Sequence, residues 1–151
     1  MTKNQMVEKI RSKTGFICDM DGVIYHGNKV LDGVIEFVAW LKEEKKKFVF
    51  LTNSSERTIK ELHDKLLRMG IEVSPDHFYT SALATAMFLK SQKPNGSAYI
   101  IGETGLINAV YDAGYTMNNL NPDYVVMGES RSYSYERIEK AVFQFEQLTV
   151  F

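Results

Sequence analysis

The sequence predicts an α/β fold built on parallel sheet. Three observations carry that reading. Short apolar runs alternate with stretches of helical periodicity. The first half runs strand, helix, strand, helix, which is the sequence form of a doubly wound sheet. The second half repeats the same rhythm, and Ser74-Pro75 and the loop Ser91 to Ser97 break the chain between elements.

The elements follow in order. "GFIC", Gly15 to Cys18, and "FVFL", Phe48 to Leu51, have the composition of buried strands. Between them Val34, Phe37, Val38 and Leu41 recur at helical spacing, so the chain from Gly33 to about Glu44 is expected to be a helix with one apolar stripe. Ile59, Leu62, Leu66 and Met69 mark a second helix that stops at Gly70. Leu83, Ala86 and Met87 suggest a third. "AYIIG", Ala98 to Gly102, is a strand, and Leu106, Ile107, Val110 and Tyr111 form a helix closed by Gly114. "YVVMG", Tyr124 to Gly128, is the next strand. Ile138, Ala141, Val142, Phe145 and Leu148 place a last helix. The Pro75 region is the expected domain boundary, which gives domains 1–75 and 76–151.

The 151 residues suffice for one domain with a core or for two unequal pieces, and 44% hydrophobic with 25% charged residues is ordinary globular composition. A net charge of -1 carries no basic excess, so nucleic acid is not an expected partner. The single cysteine, Cys18, cannot form an internal disulfide, which fits a reducing compartment. The N-terminal stretch lacks the apolar segment of a secretory signal, and no apolar run is long enough to span a membrane. A cytoplasmic protein is therefore expected.

The chemistry concentrates at two strand ends. Asp19 follows directly on the first strand, and Asp21 comes two residues later. Ligands of open α/β sheets bind at the carboxyl ends of strands. Alternate residues on extended chain face one way, so the two carboxylates can address one space. Carboxylates that close repel, so one takes up a proton or a cation moves in. Hard oxygen donors of this kind suit Mg²⁺, which keeps waters and gains ligands from a phosphate. An aspartate in such a place can attack phosphorus, and its neighbour can protonate the leaving oxygen and later activate water. Gly22 permits the turn that follows. A bare Asp-x-Asp elsewhere would be a solvated loop or a helix cap; its position after a buried strand reverses that preference. The second strand ends in "LTNSSERT", where Thr52, Asn53 and Ser54 lead into a helix N-terminus suited to an anion. Plain capping by Ser54 or Ser55 is compatible with that role.

"DMDGV" and "LTN" at successive strand ends resemble the haloacid dehalogenase superfamily of phosphohydrolases. "GVIYHGNKVLDGVIEFVAWL", "FYTSALATAMFL" and "GESRSYSYERIEKA" resemble its subgroup with a large α/β cap, the NagD and p-nitrophenylphosphatase-like proteins. The resemblance implies a parallel-sheet Rossmannoid half core followed by an α/β cap. It makes Asp19 the nucleophile and a metal ligand, and Asp21 the general acid/base with its carbonyl on Mg²⁺. Thr52, Asn53 and Ser54 become the phosphate-binding segment. Gly128 and Arg131 match a cap pattern, Gly-x-Asp-Arg, in which Ser130 replaces the aspartate; Arg131 and Tyr133 are the candidate substrate contacts of the cap. The substrate class it implies is a small phosphorylated metabolite, a sugar phosphate or a nucleotide. The superfamily's lysine and its second acidic motif are not found before Phe151, so a weak or inactive phosphatase is expected. The alternative is a non-catalytic binding or assembly protein. A fragment, a gene-model product and a truncated paralogue all accord with that ending. The same reasoning leaves one edge of "GFIC" bare and predicts a homo-oligomer, even with Thr2 to Ser12 folding back as a helix.

Other residues have plainer expected roles. His26, His63 and His77 show no ligand spacing, and Cys18 should be packed in the core. "IGETG" fits a strand-to-helix turn better than a phosphate loop. "KEEKKK", Lys42 to Lys47, is a solvated helix end.

Overall fold

The computed structural model describes residues 2–147; Leu148, the last residue of the predicted helical stripe, and the tail to Phe151 lie outside the described residues. The chain divides into two compact units. The first comprises the residues up to Thr52 together with His63–Tyr79. The second comprises Asn53–Leu62 and the residues from Thr80 onward.

In the first unit, α1 (Lys3–Arg11) leads to β1 (Gly15–Asp19), then to a hairpin of β2 (Tyr25–His26) and β3 (Lys29–Val30). Next come α2 (Val34–Glu43), β4 (Lys47–Thr52), α3 (Ile59–Arg68), whose residues up to Leu62 belong to the second unit, a 3₁₀ turn at Pro75–His77 and β5 (Phe78–Thr80), whose last residue also belongs to the second unit. The sheet order is β1-β4-β5. β1 and β4 run parallel, pairing Gly15 with Lys47 and Asp19 with Leu51. Aromatic rings tie α2 to β1: Phe16 meets Phe37 and Trp40 edge-on at 5.9 and 5.6 Å. On β4, Phe50 is fully buried and lies 5.8 Å from Phe78 of β5. His77 stacks on Phe48 at 3.9 Å and its Nδ1 lies 2.9 Å from the Phe48 carbonyl, so its role is packing. Cys18 is buried, and burial pushes its thiol pKa up. β1 is an edge strand, with Ile17 75% exposed. The N-terminal segment forms a helix with a capping box between Thr2 and Gln5, yet that helix buries none of its residues.

The second unit contains α4 (Ser81–Gln92), β6 (Ser97–Ile101), α5 (Thr104–Asp112), β7 (Thr116–Met117), β8 (Tyr124–Met127) and α6 (Tyr135–Gln147). Its sheet has the order β7-β6-β8, and both pairings are parallel. β6 is buried on both faces, as a central parallel strand should be. Ala98 and Ile100 join Ala82, Ala86 and Leu89 of α4 and Leu106 and Val110 of α5. Tyr99 and Ile101 pack on the other side with Ala141 of α6. Tyr115, 1% exposed, donates its hydroxyl proton toward the carbonyls of Leu89 and Lys93. Asp123 accepts from Lys93, from the Ser97 backbone N–H at 2.7 Å and from the Ser97 hydroxyl at 2.9 Å. Those bonds fasten the start of β6 to the start of β8. Among the described residues, no helix is long and apolar enough to cross a membrane.

The predicted strands and helices all form, each within a few residues of its expected bounds. Four short elements had no periodic signal: the hairpin strands β2 and β3, and the strands β5 and β7. Two or three residues are too few to show alternation.

Candidate active site

In the first unit, the parallel ladder sets the geometry. Asp19 is the last residue of β1 and pairs with Leu51, one residue before the end of β4 at Thr52. Asp19 and Thr52 therefore finish neighbouring strands at one sheet edge. Asp19 is exposed, and its Oδ1 accepts from the N–H of Met20 at 2.8 Å. That bond turns the chain out of the strand. Met20 is fully buried, and its carbonyl receives the N–H groups of Val23, Ile24 and Tyr25 at 3.3, 2.9 and 3.2 Å. Inside this tight loop Asp21 forms an isolated bridge with Tyr25, and Gly22 has φ +79°, a conformation that suits glycine. Extended chain ends at Asp19, so the strand alternation expected to align the two carboxylates does not continue to Asp21; the Met20 turn places it instead.

Asp21 is exposed. Thr52 is 3% exposed. Asp19 and Asp21 are hard oxygen donors of the sort Mg²⁺ takes, one or two carboxylates with waters and phosphate completing the shell. The donor set fits that ion. No cluster of three or more His, Cys, Asp or Glu capable of holding a metal occurs among the described residues.

The second unit takes up the chain from Asn53. Here the segment after β4 is clasped by several hydrogen bonds. Ser81 Oγ donates to the Asn53 carbonyl at 2.7 Å. Ser54 Oγ donates to Glu129 Oε2 at 2.9 Å, and the Glu129 N–H donates to Ser55 Oγ at 3.0 Å. The Gly105 N–H donates to the Glu56 carbonyl at 3.0 Å. Two glycines make this approach possible. A Cβ on Gly105 would stand 2.4 Å from the Arg57 carbonyl oxygen and 2.7 Å from that of Ser55. One on Gly128 would stand 2.8 Å from Ser55 Oγ. Thr58 caps α3, accepting from the Glu61 N–H at 3.2 Å, while the Glu61 carboxylate receives the Thr58 N–H at 2.8 Å. Those bonds from Thr58 hold the Glu61 carboxyl below the usual range.

The structure brings Asn53 and Tyr133 to one cleft of about 350 Å³, also lined by Ser81, Thr85 and Glu129. The Tyr133 hydroxyl donates to the Gly128 carbonyl at 2.7 Å. Arg131 is not part of that lining. Its side chain is 84% exposed, with Nε 3.5 Å from Glu56 Oε1. Ser130 is buried and donates to Glu103 Oε1 at 2.6 Å.

Residues 16–116 match the family model described as haloacid dehalogenase-like hydrolase. The chain belongs to that family. It is 40% identical over 127 residues to the ribonucleotide monophosphatase NagD of Escherichia coli strain K12, covering 84% of this chain and 50% of the relative. It is equally 40% identical over 127 residues to a dihydroxyacetone phosphatase of Corynebacterium glutamicum strain R, covering 84% of this chain and 46% of that protein. The solved structure of NagD from E. coli K-12 superposes with a TM-score of 0.84 at 38% identity, over 89% of this chain and 54% of that one. The chain thus spans about half the length of the curated relatives it matches. The α/β class and the NagD-like kinship expected from the motifs are borne out by these matches.

Glu103 and Glu129 did not stand out in the sequence, and Ser55 did so only as a helix cap, because their partners lie 27 to 75 residues away. One signal was present. Glu103 occupies the N-cap of α5, a position that favours Ser, Thr, Asp or Asn, and it makes no side-chain capping bond.

Proposed function

We propose that this chain carries the catalytic aspartates of a Mg²⁺-dependent phosphatase for a small phosphomonoester, a sugar phosphate or a nucleotide. The observation that carries the reading is the register of β1 and β4, with Asp19 and Thr52 at the same carboxyl edge. The names of the relatives, a ribonucleotide monophosphatase and a dihydroxyacetone phosphatase, support the substrate class.

In this reading a carboxylate oxygen of Asp19 attacks phosphorus, and the bond from phosphorus to the ester oxygen breaks. Asp21, entering as the acid, gives its proton to the departing oxygen. Water then attacks the aspartyl-phosphate, Asp21 takes a proton back, and the bond from phosphorus to Asp19 breaks to give orthophosphate. The exposure of both carboxylates leaves them free for these transfers. Thr52, Asn53 and Ser54 hold the phosphoryl oxygens, with the following backbone adding donors. Arg131 and Tyr133 contact the remainder of the substrate. Mg²⁺ held by Asp19 and the Asp21 carbonyl would supply neutralisation of phosphoryl charge. Residues 1–75 act as core and 76–151 as cap, in a cytoplasmic protein.

The test is phosphate release with Mg²⁺ from a panel of phosphomonoesters, against Asp19→Asn. A second reading is a binding or assembly protein without turnover. Removing one charge-stabilising group can cost roughly 10²–10³ in rate, so weak turnover accords with the first reading. Release no faster than that of Asp19→Asn would decide for the second. The reading extends to self-association: the exposed Ile17 on edge strand β1 offers a second copy a strand to pair with. Sedimentation showing a monomer at micromolar concentration would refute that part.

A further inference from the structure

We propose that Glu103 is the positioning residue of the Arg131 loop, which rests on the reading that Arg131 faces the phosphorylated substrate. Glu103 ends the turn from β6 into α5, where its backbone carbonyl receives the N–H groups of Leu106 and Ile107, both at 3.1 Å. Its carboxylate does not cap that helix. It reaches instead to the segment after β8. A single oxygen, Oε1, receives Ser130 Oγ at 2.6 Å, Ser132 Oγ at 3.2 Å and the Arg131 N–H at 3.3 Å. Ser130 Oγ in turn accepts the Ser132 N–H at 3.0 Å. Three successive residues are thereby fastened to one charged acceptor, and hydrogen bonds to an ionised group are the strong kind. Those bonds, that of Ser130 foremost, hold the Glu103 carboxyl below the usual range, so it is ionised at neutral pH.

The arrangement separates backbone from side chain. The main chain at Arg131 is held, while the guanidinium stays exposed and meets Glu56 at 3.5 Å, a loose contact that an anionic substrate group can replace. It also accounts for Ser130, where the resembling cap pattern has aspartate. The partner at this point is already a carboxylate. A serine donates a proton to it, which an ionised aspartate cannot.

The experiment compares Glu103→Ala, Glu103→Gln, Arg131→Ala and the Glu103→Ala/Arg131→Ala double variant in the full chain. Amide hydrogen exchange reads the loop directly. Glu103→Ala should speed exchange at the amides of Arg131 and Ser132, and Glu103→Gln, which keeps an oxygen acceptor, should stay near wild type. In turnover of a phosphomonoester, Glu103→Ala and Arg131→Ala should each raise KM about tenfold with little change in kcat, and the double variant should be no worse than Arg131→Ala. Unchanged exchange in Glu103→Ala overturns the proposal; should the alanine variant fail to fold, unchanged exchange at the Arg131 and Ser132 amides in Ser130→Ala/Ser132→Ala, which removes both hydroxyl donors, overturns it instead. So does a double variant whose two KM effects multiply. Absence of turnover in the wild-type chain would instead sink the phosphatase reading, and the exchange measurement would still decide what Glu103 does.

Discussion

The two units use the same device, parallel strands with the candidate site residues at their carboxyl ends, and treat those residues in opposite ways. At the end of β1 the carboxylates of Asp19 and Asp21 are exposed and lightly held; the bond to Asp19 comes from the next residue's own backbone. At the end of β8 nearly every polar group is engaged. Glu103, Ser130 and Ser132 form one network, and Ser54, Ser55 and Glu129 form another. The difference accords with their proposed tasks. A nucleophile and a proton carrier must exchange partners during a reaction, so bonds that fixed them would have to be broken at each step. A loop that orients a substrate gains from being rigid beforehand, because ordering it during binding would cost affinity.

The largest expected effect belongs to the loosely held side. Asp19→Asn should lower phosphate release by about 10⁴-fold, to the level of background, while the urea midpoint changes by less than about 0.5 kcal/mol equivalent. A large stability change would mean that Asp19 is tied more firmly than its exposed setting suggests.

On the tightly held side, stability should respond first. Gly105→Ala forces a Cβ against two backbone carbonyls, and backbone cannot move as a flexible side chain can. A loss of about 3 kcal/mol or more is expected in urea unfolding, with exchange protection falling first in α5 and the segment Ser55 to Arg57. Tyr115→Phe should cost about 1–2 kcal/mol, because the Lys93 carbonyl loses the hydroxyl and the Leu89 carbonyl keeps only the Lys93 N–H. Near-neutral behaviour would show that water reaches those carbonyls.

Acid provides a gentler probe. The Asp123 carboxyl is held below its usual range, first by the hydrogen bond from Lys93 and then by Ser97. A depressed carboxyl contributes stability that is present above its unfolded value and is lost as pH falls through its folded value. The loss therefore begins near pH 4, the ordinary aspartate region, and continues below it. Asp123→Asn should flatten that part of the stability–pH curve and leave the curve above about pH 5 parallel to wild type. An unchanged acid limb would assign the loss to other carboxylates. The smallest effect is expected for Arg131→Ala, whose exposed side chain should alter stability by less than about 0.5 kcal/mol.

Legibility followed the range of the interactions. Asp19 and Thr52 were visible because each ends an apolar run, and a run's end can be read from a handful of consecutive residues. The helices of Val34–Glu43 and Ile59–Arg68 were visible for the same reason, since one stripe of side chains recurs within each. Gly105 was legible as part of a strand-to-helix turn, but not as the glycine that admits the Ser55 to Arg57 segment. Glu103 resembled any other charged residue next to a helix.

The sequence alone determined what depends on neighbours along the chain: the α/β class, the alternation of strands and helices, the two strand ends and the family. Periodic burial and capping write themselves into adjacent residues, so those features survive in one dimension. Tertiary structure decided the rest. It set the register that brings Asp19 level with Leu51, the turn around Met20 that places Asp21, and the meeting of Glu103 with Ser130. Those depend on which distant segments pack together. Hydrogen bonding is specific only once two groups are within about 3 Å, a distance that residue type and spacing do not encode.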